Sequence, residues 1–581
     1  MFLVTFLTMP HPYQCLLYCA QPGRTDGGVL VAASGPYIHT FSAEDGTNLY
    51  TWPSDEVLKS CNEKGEDTDH GSETKEEVRS GREDHKRPRK RRRLSPPGED
   101  SGSSAEIVVD GGSNANGQGA KVKQASHPPV TKLVGTSTGQ YVVAVTGEDK
   151  CLRVFELLEN GSLKPLSVRV MPKRPCAVVL TPDDSTTLCA DKFGDIYSLP
   201  LLGQTYDTTT GSVDAETSTD NVANGASQQE PFVPAATSLT VHTKGNREAL
   251  HQQQKTTNPK AEKKSLNFEH QLLLGHVSLL TDVVCVHIDR YYKNPRTYII
   301  SSDRDEHIRV SRGIPQAHMI EGYCLGHTEF VSKLCFMPDH SLFLLSGGGD
   351  DYLLLWEWLH GKMLQKIDLR GPVEAFKEKY DLKTASKKTF AMDEEANATE
   401  SGAKVSIAVS NIRTRDDPTP GTPRTEIIVT CEGIPALFIF SLHSNAEVLF
   451  MGTIPLSGNI IDFVFLDNQG SILYSLDPIH EPFSTTKVVE EREQQMRPLV
   501  GEVLVEWRAD PPEMIEGRYG MLVGSMDRCV RRQAFVEVEA KGKGRSMREL
   551  LYGLEGLRKR VGEEGEGGGE EKLFVDDCGE G

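Results

Sequence analysis

The stretch LLLGHVSLLTDVVCV (272–286) is followed by YIISSDRDEHIRVSR (298–312). The same pattern recurs in a second copy, YCLGHTEFVSKLCFM (323–337) followed by LFLLSGGGDDYLLLWEW (342–358). Each copy has a Gly-His pair, an apolar strand, a second strand ending in small residues, an aspartate turn and a closing strand. From Asp305 to Asp350, and from Ser311 to Trp356, the distance is 45 residues. A repeat of about 40–45 residues with this layout is typical of a propeller blade. The sequence therefore predicts an all-β propeller of the WD-repeat class.

The second copy carries polar residues at fixed places in the blade: His327, Ser346, Asp350 and Trp356. Such a set can form a buried hydrogen-bonded chain, from the indole N–H through serine and histidine to aspartate, inside an apolar sheet. The first copy supplies His276 and Asp305 at the matching places, with Ser311 in place of the tryptophan. A catalytic triad uses the same residue types, but the repeat context favours a structural role.

The composition of the chain argues against several other classes of protein. Hydrophobic residues make up 37% of 581 residues and the formal net charge is −19, which argues against a protein that coats nucleic acid. The twelve cysteines include no CxxC pair, so neither a zinc site nor a redox motif is indicated. The apolar start lacks a basic leader and is broken by Pro10 and Pro12, so it is interpreted as the first propeller strands rather than a signal peptide.

Seven blades can be counted along the chain, near residues 27–50, 131–157, 172–201, 272–312, 323–358, 425–442 and 457–476. The corresponding divisions are blade 1 (1–53), blades 2 and 3 (129–202), blades 4 and 5 (267–372) and blades 6 and 7 (425–510). Polar, low-complexity composition predicts disordered inserts at 54–128 and 203–266. A linker with one possible helix is expected at 373–424, and a C-terminal segment at 511–581.

The part of the chain after Asp477 is predicted in less detail. VGEVLVEW (500–507) is expected to be a strand that closes the ring with the N-terminus. Residues 546–562 have leucines at helical spacing. The glycine- and glutamate-rich end is interpreted as a disordered acidic tail.

A basic run lies within the first insert: Lys86, Arg87, Arg89, Lys90, Arg91, Arg92 and Arg93. Runs of this kind serve as nuclear localisation signals or nucleic-acid patches. The alternative is a solvated charge run without a function. The neighbouring Ser-Pro pair and the polar surroundings favour nuclear import, which predicts a nuclear protein.

Several segments together resemble one family: SGPYIHTFS (34–42), KRPCAV (173–178), ADKFGDIYSL (190–199), DRDEHIRVS (303–311), CLGHTEFVSKL (324–334) and MRELLYGLEGLRKR (547–560). The chain resembles the non-catalytic WD-repeat subunit of the tRNA (guanine-N7-)-methyltransferase, of the fungal type. The resemblance implies a scaffold without catalytic residues, cofactor or metal of its own. It implies a heterodimer with a catalytic subunit that binds S-adenosylmethionine and forms N7-methylguanosine in the tRNA variable loop. This chain would stabilise that subunit and help to position tRNA.

Eight charged or polar residues are candidates for partner binding: Arg304, Glu306, His307, Arg309, Arg312, Lys173, Arg174 and Lys192. Strand alternation places Arg309 opposite the apolar Ile308 and Val310. The charged strip formed by the candidates within residues 304–312 is therefore expected to be exposed and to dock another folded protein. The alternative is an ordinary solvated blade edge. No RNA-binding module and no nucleotide-binding glycine loop is visible in the sequence.

Two other functions remain open at this stage. A propeller can also serve as the substrate adaptor of a ubiquitin ligase, and fold alone does not separate these scaffolds. A propeller hydrolase would need polar residues pointing into the central channel, and the sequence shows no such convergence. The DRDEHIRVSR and ADKFGDIYS segments favour the methyltransferase subunit over both alternatives.

Overall fold

The computed structural model describes residues 11–20, 27–53, 128–203, 268–289, 295–337, 340–388, 405–416, 424–443, 445–466, 471–506, 513–515, 519–532 and 547–559. The predicted inserts, the basic run at 86–93 and the acidic tail lie almost entirely outside these ranges. Within them the chain forms seven four-stranded sheets, each an antiparallel series. The prediction of an all-β, seven-bladed propeller is confirmed.

The first four blades consist of consecutive strands. Blade 1 contains β1 Tyr13–Cys19, β2 Val29–Ser34, β3 Tyr37–Ser42 and β4 Asn48–Trp52. Blade 2 contains β5 Val130–Gly135, β6 Tyr141–Thr146, β7 Cys151–Leu157 and β8 Leu163–Val170. Blade 3 contains β9 Pro175–Leu180, β10 Thr186–Asp191, β11 Asp195–Pro200 and β12 Gln271–Gly275. Blade 4 contains β13 Leu280–Ile288, β14 Arg296–Asp303, β15 Ile308–Arg312 and β16 Ile320–Cys324.

The last three blades follow the same order. Blade 5 contains β17 Val331–Met337, β18 His340–Gly348, β19 Tyr352–Glu357 and β20 Lys362–Asp368. Blade 6 contains β21 Val409–Asp416, β22 Thr425–Cys431, β23 Ala436–Leu442 and β24 Val448–Pro455. Blade 7 contains β25 Ile460–Phe465, β26 Ser471–Leu476, β27 Val500–Glu506 and β28 Glu513–Ile515.

Four helices and two 3-10 turns complete the described structure. The helices are α1 Arg370–Lys388, α2 Glu491–Met496, α3 Gly520–Arg532 and α4 Met547–Leu551. The 3-10 turns are Trp358–His360 and Glu555–Leu557. The helix expected in the linker at 373–424 is present as α1, which begins at Arg370. The helix expected at 546–562 is limited to α4 and the second turn, because the intervening chain follows the surface of the ring.

The apolar core lies between the blades rather than inside one sheet. A cluster of buried side chains fills each of the seven seams between neighbouring blades. Middle strands such as β22 and β23 are therefore buried along their whole length, as expected when both faces of a sheet are covered. Outermost strands such as β8 are largely exposed and bury only a few residues, here Leu163 and Arg169.

Alternating strand direction divides the loops between two ends of the ring. Loops that join the second strand of a blade to the third, or one blade to the next, lie at one end, here called the upper face. Loops that join the first strand to the second, or the third to the fourth, lie at the lower face. Asp191, Asp303 and Asp350 therefore lie at the upper face, whereas Arg312, at the end of a third strand, lies at the lower face.

Several predicted boundaries are wrong. The strands before the two Gly-His pairs, β12 and β16, are the outermost strands of the preceding blades, because the sequence repeat begins one strand earlier than the sheet. Blade 1 has four strands and begins with β1 at Tyr13, earlier than the blade counted near residues 27–50. The expected linker at 373–424 contains β21, the first strand of blade 6, and the C-terminal segment contributes β28 to blade 7.

The ring closes through a helix. Residues 500–506 of VGEVLVEW form β27, which pairs with β26 and β28 and not with the N-terminus, so the predicted closure is wrong. Instead α3 packs against β27 of blade 7 and against β3 and β4 of blade 1. Leu522, Met526 and Val530, spaced four apart on this helix, are buried in the seam. The Tyr13 hydroxyl donates to the Met526 carbonyl at 3.0 Å.

Candidate partner-binding surface

The polar chain predicted in blade 5 is present. The Trp356 indole N–H donates to the Ser346 hydroxyl at 2.8 Å, and Ser346 lies 2.6 Å from Nε2 of His327. Nδ1 of His327 lies 2.7 Å from the Asp350 carboxylate. Burial is the largest influence on Asp350 and raises its pKa, but hydrogen bonds from His327 and Thr328 outweigh it and hold the pKa below its usual value. Because the His327 side chain is 0% exposed, no substrate reaches this set, and its role is structural.

Blade 4 has the same arrangement with a different aspartate. Nδ1 of His276 lies 3.1 Å from the Asp303 carboxylate, and Nε2 lies 2.8 Å from the Ser301 hydroxyl. The assignment of Asp305 as the structural residue is therefore wrong. Asp303 ends β14 and accepts the backbone N–H groups of Asp305 and His307 at 2.9 and 3.1 Å, so the turn is held two residues earlier than in blade 5.

Arg309 is not an exposed docking residue. It is 8% exposed and lies in the seam between blades. Its Nε–H donates to the Ser311 hydroxyl at 3.0 Å and its Nη1–H to the Gly275 carbonyl at 2.9 Å. Burial lowers the pKa of the guanidinium. The expectation failed because the face opposite Ile308 and Val310 is covered by the neighbouring blade instead of by water.

Arg309 takes the space of a missing tryptophan. The strand pairing of Arg309 with Ser301 matches that of Leu354 with Ser346, so Ser311 corresponds to Trp356. In blade 5 the Trp356 ring lies over Gly326, within 3.1 Å of where a Cβ would stand. In blade 4 the Arg309 guanidinium reaches the corresponding Gly275. The Arg–Ser pair thus replaces the Leu–Trp pair of the next blade.

The C-terminal residues 547–559, here called the strap, cross the upper face from blade 7 to blade 4. The Tyr552 hydroxyl donates to Asp477 of blade 7, and the N–H groups of Gly553 and Leu554 donate to Glu432 of blade 6 at 2.8 and 3.0 Å. Burial and the nearby Asp477 carboxylate raise the pKa of Tyr552 well above its usual value. The strap is therefore anchored by buried polar contacts and not only by surface charge.

The second half of the strap continues over blades 5 and 4. The Arg558 guanidinium donates to the carbonyls of Gly349 and Ile407 at 2.8 and 2.6 Å and lies 5.6 Å from the Phe330 ring. The strap ends at Lys559, whose ammonium lies 2.9 Å from the Glu306 carboxylate and 3.4 Å from that of Asp305. Four blades are thus held by one short segment.

The strap changes the interpretation of the predicted strip. The Nε–H of Arg304 donates to the Leu557 carbonyl at 2.9 Å, and Glu306 binds Lys559, so both residues face this chain's own C-terminus. The His307 side chain is 51% exposed. Arg312 pairs with Glu321 and Gln316 at the lower face, so the structure separates it from the rest of the strip.

Two of the predicted partner-binding residues lie exposed on blade 3. Lys173 and Lys192 are exposed, and their ammonium groups lie 4.3 and 6.0 Å from the centre of the Phe193 ring. Phe193 is 50% exposed and Val277 is fully exposed. Lys173, Lys192, Phe193 and Val277 are here called the blade 3 patch. Arg174 is half-buried and donates to the Gly147 carbonyl at 3.2 Å, so it joins this edge to blade 2.

The patch is built on a rigid turn. The Asp191 carboxylate accepts the N–H groups of Phe193 and Asp195 at 2.7 and 3.1 Å. Gly194 has a φ of +101°, and a Cβ there would lie 2.3 Å from the His276 carbonyl oxygen. Only glycine permits this approach, which brings the turn against the loop that carries Val277.

Backbone hydrogen bonds join the patch to the end of the strap. The His276 N–H donates to the Gly194 carbonyl at 2.8 Å, and the Arg304 N–H donates to the Leu279 carbonyl at 2.9 Å. The turn of blade 3, the loop at 276–279 and the turn of blade 4 therefore form one continuous surface. Phe193 lies at one end of it and Lys559 at the other.

Polar residues do converge on the central channel, contrary to the expectation from sequence. Asp282 and Lys333, from the first strands of blades 4 and 5, lie 3.9 Å apart. Asp462 pairs with Arg413 at 3.0 Å and accepts the Leu16 N–H at 2.8 Å. These carboxylates join neighbouring first strands, and Asp462 does so across the seam where the ring closes. The convergence stabilises the ring.

Phe193, Val277 and most of the strap contacts with the ring were not predicted from the sequence. An apolar residue at the centre of the ADKFGD turn was the available signal for Phe193, because turns of this kind are usually polar. Among the described residues, no group of three or more potential metal ligands comes together. None of the described helices is long and apolar enough to span a membrane.

The sequence of this chain is similar to sequences of known proteins. A family described as "tRNA methyltransferase TRM82 WD40 domain" matches residues 30–500. A Coccidioides immitis protein named "tRNA (guanine-N(7)-)-methyltransferase non-catalytic subunit TRM82" is 38% identical over 550 residues, which cover 92% of this chain and 96% of the relative. Proteins of the same name are 37% identical in Aspergillus oryzae, over 95% of this chain and 98% of the relative, and 38% identical in Sclerotinia sclerotiorum, over 84% and 89%.

Proposed function

This chain belongs to the TRM82 family of non-catalytic subunits of tRNA (guanine-N(7)-)-methyltransferase, and we propose that it holds its catalytic partner against the upper face of blades 3 and 4. The chain is a scaffold of the methyltransferase and not itself an enzyme. A non-catalytic subunit implies a catalytic one, which we place in a heterodimer with this chain. That partner would carry S-adenosylmethionine and the reacting groups.

The blade 3 patch is the observation that carries this proposal. It combines a half-exposed aromatic ring, a fully exposed valine and two lysines on a turn fixed by hydrogen bonds. Interfaces draw most of their binding energy from a few central anchors, among which aromatic residues are common. Lysines around such an anchor select a partner surface of opposite charge. We therefore expect an acidic and apolar surface on the catalytic subunit.

The contribution to catalysis would be preorganisation. The turns that carry the patch are held in one conformation by the packed seams between blades. A segment of the catalytic subunit that docks on the patch is therefore held in one position as well. A catalytic group held close to its productive geometry does not need to be ordered again in each turnover. The catalytic subunit should therefore be more active when bound to this chain.

We place tRNA on the complex and not on this chain alone. The net charge of −19 disfavours independent binding to a polyanion. Lys173, Arg174 and Lys192 lie at the edge of the proposed interface, where they could extend a phosphate-binding surface of the partner.

Hydrogen exchange of the full chain tests the location of the interface. Addition of the purified catalytic subunit should slow exchange at residues 192–194, 276–279 and 304–307, because docking covers the loops that carry these amides. Loops of the lower face, such as 181–186, serve as the internal reference and should be unchanged. Protection concentrated at the lower face would overturn the proposed site.

The basic run at 86–93 is proposed to direct nuclear import, and the resemblance to nuclear localisation signals supports this. Replacement of its seven basic residues by glutamine should abolish nuclear accumulation of the fluorescently tagged chain. Replacement of Lys164 and Lys362, two exposed lysines at the lower face, by glutamine is the matched control and should have no effect. Unchanged nuclear accumulation of the seven-residue variant would contradict this role.

A further inference from the structure

The C-terminal tail begins beside the proposed docking surface. The strap ends at Lys559, which is held at blade 4 by Glu306 and Asp305. The chain therefore enters residues 560–581 from the upper face, at the blade next to the one that carries Phe193. The point of departure is fixed by the described structure.

The tail has the composition that the blade 3 patch selects. Residues 560–581 contain eight acidic and two basic residues. Acidic pairs, Glu570-Glu571 and Asp576-Asp577, flank the apolar run Leu573-Phe574-Val575. The patch has the complementary arrangement, with the exposed Phe193 and Val277 beside Lys173 and Lys192. The acidic pairs of the tail therefore match the lysines of the patch, and the apolar run of the tail matches the exposed apolar side chains of the patch.

The tail is also long enough to reach. Backbone hydrogen bonds join the blade 4 turn to the loop at 276–279, and that loop to the blade 3 turn, so the patch lies one blade away from Lys559. Ten residues separate Lys559 from Glu570, and a chain of that length spans at most about 35 Å. Five of these ten residues are glycine, which removes side-chain obstacles to a turn toward blade 3.

We propose that residues 570–577 occupy the blade 3 patch in the free chain, with Phe574 against Phe193 and Val277 and the acidic pairs against Lys173 and Lys192. The occupant shields an exposed aromatic surface that otherwise invites non-specific association. A partner that binds the same patch must displace the tail. The tail thus competes with the partner, as an intramolecular ligand whose effective concentration is set by its short connection to the strap.

Regulation of partner docking rests on the proposed function, but occupancy of the patch by the tail does not. The first test therefore uses the full-length chain without any partner. Lysine acetylation is followed residue by residue by mass spectrometry, because an ammonium covered by carboxylates reacts slowly. The comparison variant is also full-length, with Glu570→Gln, Glu571→Gln, Asp576→Asn and Asp577→Asn.

Neutralisation of the tail should raise the acetylation rates of Lys173 and Lys192 by about fivefold, the change expected for a site mostly covered by a tethered ligand. Phe574→Ala should produce part of this increase, because the apolar contact is lost while the charges remain. Lys164 and Lys362, exposed at the lower face, are the matched references and should react equally in all three proteins. Equal rates for Lys173 and Lys192 in the wild type and the neutralised variant would overturn the proposal.

Zero-length crosslinking provides a second, independent readout. A carbodiimide should join tail carboxylates to Lys173 or Lys192 in the wild-type chain, and these crosslinks should be lost at high salt. Crosslinks that reach Lys164 and Lys362 as often would contradict a specific site. Crosslinks between isotopically labelled and unlabelled copies would show that the contact is not made within one chain, which also overturns the proposal.

Discussion

Arg309→Leu is expected to lower the free energy of unfolding by about 2–4 kcal/mol, because it leaves buried polar groups unpaired and opens a cavity. The change removes two hydrogen bonds of the guanidinium, to the Ser311 hydroxyl and the Gly275 carbonyl. It also removes the side chain that fills the place of a tryptophan in blade 4. Thermal or denaturant unfolding of the isolated chain measures the effect.

A second substitution makes this test specific. Ser311→Trp in the Arg309→Leu background recreates the Leu354–Trp356 pair of blade 5, where the indole donates to a serine at 2.8 Å. We expect the double variant to recover a large part of the lost stability. His307→Leu, at a half-exposed position of the same blade, is the control and should change stability little. A single Arg309→Leu variant that unfolds like the wild type would show that this arginine does not support the seam.

Charge reversal of the blade 3 patch should have the largest effect on assembly. The double variant Lys173→Glu/Lys192→Glu places two carboxylates where we expect the acidic surface of the catalytic subunit. Like charges brought together at an interface cost several kcal/mol, so the dissociation constant should rise by about 100-fold or more. Titration calorimetry with the purified catalytic subunit measures it.

The matched control for charge reversal is Lys164→Glu/Lys362→Glu, which changes the net charge equally but at the lower face. It should bind the catalytic subunit with nearly the affinity of the wild type. Both variants should unfold close to the wild-type temperature, because all four lysines are exposed. The control also loses the surface ion pair of Lys164 with Glu156 at 3.1 Å, and such pairs contribute little to stability. Equal affinity of the two double variants would rule out the blade 3 patch as the docking site.

The repeat made the buried part of the molecule predictable. Copies of the Gly-His, serine, aspartate and tryptophan pattern at a fixed distance are enough to place a strand, a turn and the His327–Asp350 hydrogen bond. The pattern did not distinguish Asp303 from Asp305, because both follow Ser301 closely and only the turn geometry decides which carboxylate reaches His276. The strands before the Gly-His pairs were assigned to the wrong blades for a related reason. The period of the repeat gives its length but does not show at which strand one sheet ends and the next begins.

Exposure was harder to predict than strand position. Alternation assigns Arg309 and Ile308 to opposite faces of a strand, but in a propeller both faces of a middle strand are covered by neighbouring blades. Arg309 was therefore expected at the surface although it belongs to a seam. The contacts of the strap, such as Arg304 with Leu557, join residues far apart in the chain, and no local pattern encodes them.

Methylation of tRNA at guanine N7 by purified proteins is the measurement that tests the scaffold function most directly. The full-length chain, the catalytic subunit and their mixture are each given tRNA and S-adenosylmethionine. We predict no turnover by this chain alone, turnover by the mixture above that of the catalytic subunit alone, and loss of the increase with Lys173→Glu/Lys192→Glu. Turnover by this chain alone, or a mixture no more active than the catalytic subunit, would contradict the account.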